Sequence, residues 1–539
     1  MAKKRKQRRV EQDEAPESER PRRRAKSARA PESGLAALLH AYTDADPRAL
    51  GAFRVAFGLL MIADLLRHLP GLDAWFGPGA VASPAAIAAI EGPATPFSFY
   101  LLTTSLPVVG IMMAASLAVF VAYTLGYKTR LTQVLALVAI VSLHGRNDFI
   151  EHAGERTVNV LALLTAFLPL GRRYSLDALA RCRGGADAPL DVTPVRSAAF
   201  TVLLLQFAAA YALDWSVKTG PGWTDGTALI AATEPMVGTH IGIVLRDSLP
   251  IEVFRVMCLS TLFIESALAL LLLIPYAGAR AIAFGLTVAL HAGIATFMAL
   301  GVFQPSMFIA GMLFVPAFVF DRAERLGLLS PLAGVAAQAR ARFAALPARS
   351  PGAATPSWIA STREAVVIVL GLVLFLLVLA DNRRMPAWVR PPREIARPAR
   401  IALVRVGVFE TWDHYADPRP VDGILVVDAV TVDGRHVDPM NEVACGLTGP
   451  PLDEVPHELP MSLLWWNLEK YAHEPGAPML APLGAWVARY AERTGKPEDA
   501  VVSYEVTWLV TQRTLRGQPV ETSRHVLARW RSDGADDGS

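Results

Sequence analysis

The chain has 539 residues, of which 53% are hydrophobic and 19% charged, and its mean hydropathy is +0.34. That composition excludes an ordinary soluble domain and points to a polytopic membrane protein. The net charge of +3 says little by itself, and Cys182, Cys258 and Cys445, without CxxC spacing or His-rich company, offer neither a metal site nor a dense disulfide framework.

Residues Met1 to about Ser33 form a basic arm, with Lys3, Lys4, Arg5, Lys6, Arg8 and Arg9 first and Arg22, Arg23 and Arg24 later. Its Pro, Glu and Ser content cannot bury a core, so disorder is expected. On a membrane protein such a run reads as a positive-inside signal that touches anionic lipid, and no nucleic-acid partner is expected. No short apolar run with a small-residue cleavage site accompanies it, so no cleavable signal peptide is expected.

Nine apolar segments follow, at about 50–68, 105–126, 131–146, 157–171, 195–216, 255–276, 280–300, 302–320 and 363–381. The third, fourth and eighth fall short of the roughly 20 residues a full span needs, which predicts short or tilted helices inside the bundle. With the arm inside, alternation gives the inner loops fourteen basic residues up to Arg363 and the outer loops six. The positive-inside rule then sets the N-terminus in the cytoplasm and the C-terminus outside. Residues 321–362 become a cytoplasmic loop and 363–381 the last span.

From about Pro386 the composition turns polar and aromatic, and residues 386–539 read as an α+β domain outside the membrane. Ile424 to Val432, then Asp433-Gly434, reads as a hairpin with a type I′ turn. Met479 to Thr494 has helical spacing and Val501 to Thr511 reads as a strand.

The densest candidate for chemistry lies at the end of the fifth segment, Gln206…Tyr211…Asp214…Lys218-Thr-Gly-Pro-Gly-Trp223-Thr-Asp-Gly226. A lysine there either snorkels and caps the helix or lines a pocket, where lost hydration favours a neutral, basic amine. Tyr211 and Trp223 either line that pocket or belong to an interfacial aromatic belt. Glu265 and His291 sit mid-segment, where lipid demands partners, and consecutive spans suggest that they pair with each other; Lys218 is the other partner open to Glu265. Arg146 and Asn147 either cap an outer loop or approach Lys218. Asp64 and Asp214 read as structural, and Ser175 as a helix N-cap.

In order and spacing, Arg54…Asp64, Arg146-Asn147…Ile150…Gly154, Phe167-Leu-Pro-Leu-Gly-Arg-Arg-Tyr-Ser-Leu-Asp177, the Gln206–Gly226 run, Glu265 and Leu290-His291…Gly301…Phe303 resemble the horizontally transferred transmembrane (HTTM) domain over about residues 45–320. That domain is the membrane module of vitamin K-dependent gamma-carboxylase and its bacterial relatives. Phe409-Glu-Thr-Trp412-Asp-His-Tyr415 is similar to the non-cytoplasmic tail of bacterial members. The resemblance implies Lys218 and His291 as catalytic residues, and Tyr211, Trp223, Asn147, Arg146 and Glu265 as ligand contacts. It also implies a reduced quinone as cofactor and an exported protein or peptide as substrate. The run His144-Gly-Arg146-Asn147-Asp148 lacks the histidine that the eukaryotic enzyme carries beside its asparagine, and the outer domain is shorter than that enzyme's lumenal part. The expected architecture is an all-α bundle of about nine spans with a C-terminal α+β domain. A membrane factor that holds and matures an exported client protein is the other function compatible with it; a carrier would need the internal repeat that is missing here.

Overall fold

The computed structural model describes residues 34–181, 192–233, 235–328, 356–382, 392–408, 412–416, 421–459, 461–513 and 519–532, with Pro386, Trp388 and Pro418. The basic arm and most of the 321–362 loop lie outside them.

The bundle consists of α1 (Pro47–Arg67), α2 (Leu106–Leu125), α3 (Thr129–His144), α4 (Ala153–Thr165), α5 (Ala198–Val217), α6 (Ile251–Leu273), α7 (Ala277–Phe297), α8 (Phe303–Met312), α9 (Ala317–Arg325) and α10 (Ser357–Asp381). Six of these, α1, α2, α5, α6, α7 and α10, are long and apolar enough to cross a membrane. The pair α8 and α9 makes a seventh only if its 89° bend counts as one broken span. Pro316 stands at that break and supplies no N–H to continue the helix. Helices α3 and α4, with 16 and 13 residues, are the short elements expected from their short apolar runs. The outer faces of the long helices stay apolar: Ile111 on α2 and Phe263 on α6 are each 70% exposed. Side chains of this kind are stable facing lipid and not water.

Successive helices alternate in direction, which gives the bundle two unlike ends. At one end the arginine Arg54, fully buried on α1, gathers carbonyls from the last turn of α2 and from the turn after α4. Its Nη1 donates to Leu170 O at 3.0 Å and Arg173 O at 3.1 Å, its Nε to Thr124 O at 3.4 Å, and its Nη2 to Tyr174 O. A helix end and an irregular turn both leave carbonyls without backbone partners, and the guanidinium satisfies them. Asp177 caps the start of α3 through Lys128 N (3.0 Å) and Thr129 N (2.7 Å), and Ser175 Oγ accepts from Ala178 N at 2.9 Å, the N-cap expected of it. Glu364 on α10 accepts from Ala198 N at the start of α5 at 2.5 Å, which fixes α10 beside α5.

The opposite end carries the C-terminal domain. It holds α11 (Arg393–Arg405), α12 (Pro439–Cys445), α13 (Leu463–Lys470) and α14 (Leu480–Ala488) with strands β1 (Val421–Thr431), β2 (His436–Val437), β3 (Val501–Arg513) and β4 (Pro519–Arg531). The strands form an antiparallel sheet in the order β2-β1-β3-β4, with Leu425 opposite Trp508 and Val506 opposite Ala528. The apolar run Ile424 to Val427 is buried on both faces of β1, as suits a central strand. The β1–β2 connection is not the type I′ turn expected: Asp433 keeps a negative φ and Gly434 alone is left-handed, at φ +84°. Gly434 N donates to Thr431 O at 2.8 Å, so the turn runs through Val432-Asp433 with the glycine as a bulge, and the loop length, not the Asp-Gly pair, selects it. The domain seats on the bundle through Trp75 and Trp465, with ring centroids 4.5 Å apart, and through Asn467 Nδ2 donating to Ile150 O at 3.1 Å.

Gly126 closes α2 at φ +67°, and a Cβ there would stand 2.3 Å from Ser175 Cβ, against Arg54. Gly110 on the same helix has open space around it. Gly126→Ala is expected to lower stability in detergent by about 2 kcal/mol or more. Gly110→Ala should leave it unchanged or raise it by up to about 1 kcal/mol. Thermal unfolding of the two variants side by side checks this.

Candidate functional site

Tyr211, Asp214 and Lys218 occupy positions i, i+3 and i+7 of the α5 region and so share one face, turned into the bundle. Lys218 closes the helix. The Gly/Pro turn after it starts a one-turn helix, Gly222–Asp225, that folds Trp223 back over the lysine, with Nζ 5.4 Å from the ring centroid. From α6, Glu265 accepts from Lys218 Nζ at 2.9 Å; Asp214 contributes its backbone carbonyl at 3.3 Å and its carboxylate at 3.9 Å. All three groups are buried.

The segment 412–416, between α11 and the sheet, completes this site. His414 gives Asp214 Oδ1 its backbone N–H at 2.9 Å and places its ring Nδ1 3.2 Å from the same oxygen. Tyr415 O accepts from Trp223 Nε1 at 3.1 Å, and Tyr415 itself takes φ +53°, a strained value for a tyrosine. Deeper in the bundle, Tyr211 Oη and His291 Nε2 share a hydrogen bond of 3.0 Å. The Phe303 ring lies between the two histidines, 5.9 Å from His291 and 5.5 Å from His414. Glu265 Oε2 and His291 Nδ1 are buried with no hydrogen-bond partner among the described residues.

An apolar cavity of about 50 Å³ lies one ring away from the cluster, and none of Lys218, Glu265, Asp214, Tyr211 and His291 lines it. Phe207 and Trp412 line it, and their rings stand 5.2 Å from Tyr211 and 5.7 Å from His414 respectively. Gln206 is its polar side chain on α5, held by Gly371 O on α10 at 3.3 Å.

Five of the seven residues singled out in the sequence therefore meet: Lys218, Glu265, Trp223, Tyr211 and His291. Two do not. Arg146 lies under Phe76, its guanidinium 5.7 Å from the ring, and donates to Ala82 O at 3.2 Å; Asn147 Oδ1 accepts from Phe149 N at 3.1 Å. Arg146 thus ties its loop to the segment after α1 and Asn147 holds the loop itself, because the chain after α3 folds toward α1 and the C-terminal domain and not toward α5. The expected Glu265–His291 pair is also replaced: each has another partner, Lys218 and Tyr211, since α5 lies against α6 and carries both.

Asp214 has a structural role that reaches beyond its own helix end: it joins Lys218 to the C-terminal chain. His414 stood in the tail motif without a role. A second buried network passed unnoticed, in which His144 bridges Asp64 Oδ2 at 2.7 Å and Asn159 Oδ1 at 2.8 Å. Arg67 donates to Asp64 at 2.6 Å and also to Glu155. Its only sequence signal is polar residues inside apolar helices. Cys258 and Cys445 are free, and burial pushes the Cys445 thiol up to about 12, away from thiolate chemistry.

Long apolar helices, lipid-facing side chains and charges paired in the interior define a multi-pass α-helical membrane protein. Residues 42–317 match the HTTM domain, and the chain belongs to that family. No curated protein and no solved structure matches it.

A buried ion pair that loses one partner leaves an uncompensated charge, at a cost of about 3–5 kcal/mol. Lys218→Ala and Glu265→Ala should each destabilise the protein in detergent, and the double variant should lose much less than their sum. Glu265→Ala with His291→Ala should come much closer to additivity. Calorimetric unfolding of both cycles reads the two couplings.

Proposed function

We propose that the protein is a membrane enzyme of the gamma-carboxylase type, which binds a reduced quinone and modifies an exported protein or peptide on the non-cytoplasmic side of a bacterial inner membrane. The observation that carries this reading is the buried Lys218–Glu265–Asp214 group, with an apolar cavity one ring away and Glu265 Oε2 and His291 Nδ1 without a hydrogen-bond partner among the described residues. The apolar lining suits a ring system, and an unpartnered imidazole nitrogen suits a ring oxygen. The quinol would supply electrons and hydroxyl protons.

The chain's own groups would manage the proton. While Lys218 donates to Glu265 it has no lone pair to offer. Passing that proton to Glu265 Oε1 would give a neutral amine and a neutral carboxylic acid, and so would free the amine's lone pair. The amine then takes a proton from a ligand hydroxyl, as a general base. Asp214, held by His414, stays beside it as the fixed counter-charge, and Tyr211 orients His291. Trp412 closes the cavity from the C-terminal side and keeps water out.

The second reading is an assembly factor that holds an exported client, and the seating of the C-terminal domain over the site favours keeping it. Orientation and span number belong to the proposal: nine crossings, N-terminus in the cytoplasm, C-terminal domain outside. The loop charges support this orientation. A phosphatase active only outside the cytoplasm and fused after Ser539 should be active; an inactive fusion of a stably inserted protein overturns the orientation.

The chemistry is tested by extracting the purified protein and measuring quinone by mass spectrometry. Wild-type protein should hold about one quinone per chain and Lys218→Ala far less. Lys218→Arg keeps the charge but not the size or the ability to become neutral, so it should insert normally and fail to complement a deletion strain. Full complementation by Lys218→Arg, with no quinone in the wild type, would make the lysine an anchor and favour the client-holding role.

A further inference from the structure

We infer that α11 is a binding site for anionic phospholipid headgroups in the leaflet on the side of the C-terminal domain. The helix is amphipathic. Ala396, Ala399 and Leu403, at i, i+3 and i+7, face the protein, and Leu403 is buried. Arg393, Arg397 and Arg400, also at i, i+4 and i+7, form an exposed stripe, and Arg405 is exposed near its end. Neither Arg393 nor Arg397 makes an ion pair with a described residue, and Glu394 is the helix's one acidic residue.

Exposed arginines alone name no partner. The placement of the helix does. Its start follows the end of the apolar α10 by twelve residues, Asp381 to Arg393. Its end is tied to the chain that leads into α2: Arg405 O accepts from Phe97 N, nine residues before Leu106. The start of α11 thus follows the exit of α10 from the apolar layer, and its end is tied to the chain that enters that layer as α2, so the helix lies at the membrane boundary. Phe97, bonded to the end of the helix, is 51% exposed, Leu102 five residues further on is 83% exposed, and Ile395 on the helix is 67% exposed. Large apolar side chains at that level, next to a stripe of arginines, match the layering of a bilayer surface: acyl chains below, phosphate above. An acidic protein partner would account for the arginines and leave the exposed Ile395, Phe97 and Leu102 without a reason.

The inference stands apart from the proposed chemistry, but it bears on it. Helix α11 leads directly to residues 412–416, which bring His414 and Tyr415 to the Lys218 group. Headgroups bound at α11 would hold that stretch down on the bundle.

The full chain is reconstituted in nanodiscs of phosphatidylcholine alone or with 30 mol% phosphatidylglycerol, and lipids kept after transfer to detergent are counted by native mass spectrometry. The wild type should retain phosphatidylglycerol in at least about tenfold preference and unfold at a higher temperature in the mixed bilayer, both effects fading with added salt. The triple variant Arg393→Gln, Arg397→Gln, Arg405→Gln should lose both effects while matching the wild-type unfolding temperature in phosphatidylcholine, which checks its fold. The triple variant to lysine should keep them, since surface electrostatics needs charge and not a guanidinium. Retention of phosphatidylglycerol by the glutamine variant at the wild-type level overturns the assignment. So does equal competition by free inorganic phosphate, which would mark a phosphate pocket instead, or a lysine variant that behaves like the glutamine one. If the glutamine variant is already destabilised in phosphatidylcholine, the single variants Arg393→Gln and Arg397→Gln replace it, each expected to lower retention severalfold; no loss in either overturns the site.

Discussion

An ion cannot stand alone inside an apolar bundle, and this constraint organises the protein from one end to the other. Lys218, Glu265 and Asp214 satisfy one another at the end of α5, and their pairing determines which helices must touch. Helix α5 meets α6 because a lysine on one faces a carboxylate on the other. The C-terminal chain returns to the bundle where Asp214 offers His414 an acceptor. Arg54 obeys the same rule at the other end, where its guanidinium collects the carbonyls that the end of α2 and the turn after α4 leave open. The bundle is therefore pinned at both ends by buried charge, and its lateral surface is left to side chains that lipid can cover.

This arrangement explains why the site spans two regions of sequence. The family domain ends near residue 317, yet the group around Lys218 is incomplete without Trp412, His414 and Tyr415. Tyr415 is held left-handed while its carbonyl accepts from Trp223, which indicates that the surrounding contacts enforce the local conformation. The two polar networks, one at Lys218 and one at Asp64 and His144, both lie toward the domain-bearing end. The second reaches the C-terminal chain as well, since Asn159 Nδ2 donates to Gly407 O at 3.0 Å. The same few residues after α11 thus touch both networks, and a displacement of that stretch would be felt in each.

Helix α11 lies on this path. Its arginines face outward and its small residues face inward, so a single helix joins the membrane surface to the stretch that closes the site. Such a connection needs no long-range rearrangement: α11 ends at Arg405, and His414 follows nine residues later.

The sequence by itself determined the membrane class, the family and the local stops. Hydropathy reports burial in lipid residue by residue, and caps such as Ser175, or Gly126 at the end of α2, act within a few positions. It also singled out Lys218, Glu265, Trp223, Tyr211 and His291, because a polar group in an apolar run is visible without knowing its neighbours. Partners were a different matter. The choice of Lys218 over His291 for Glu265 depends on which faces of α5, α6 and α7 meet, and helical periodicity is nearly blind in helices that are apolar all round. Arg146 and Asn147 went astray for the same reason: their loop position was readable, but the direction in which the loop folds was set by α1 and the C-terminal domain. His414 lies two hundred residues from Asp214. Only the tertiary structure could bring it there, because nothing local in either segment encodes the contact.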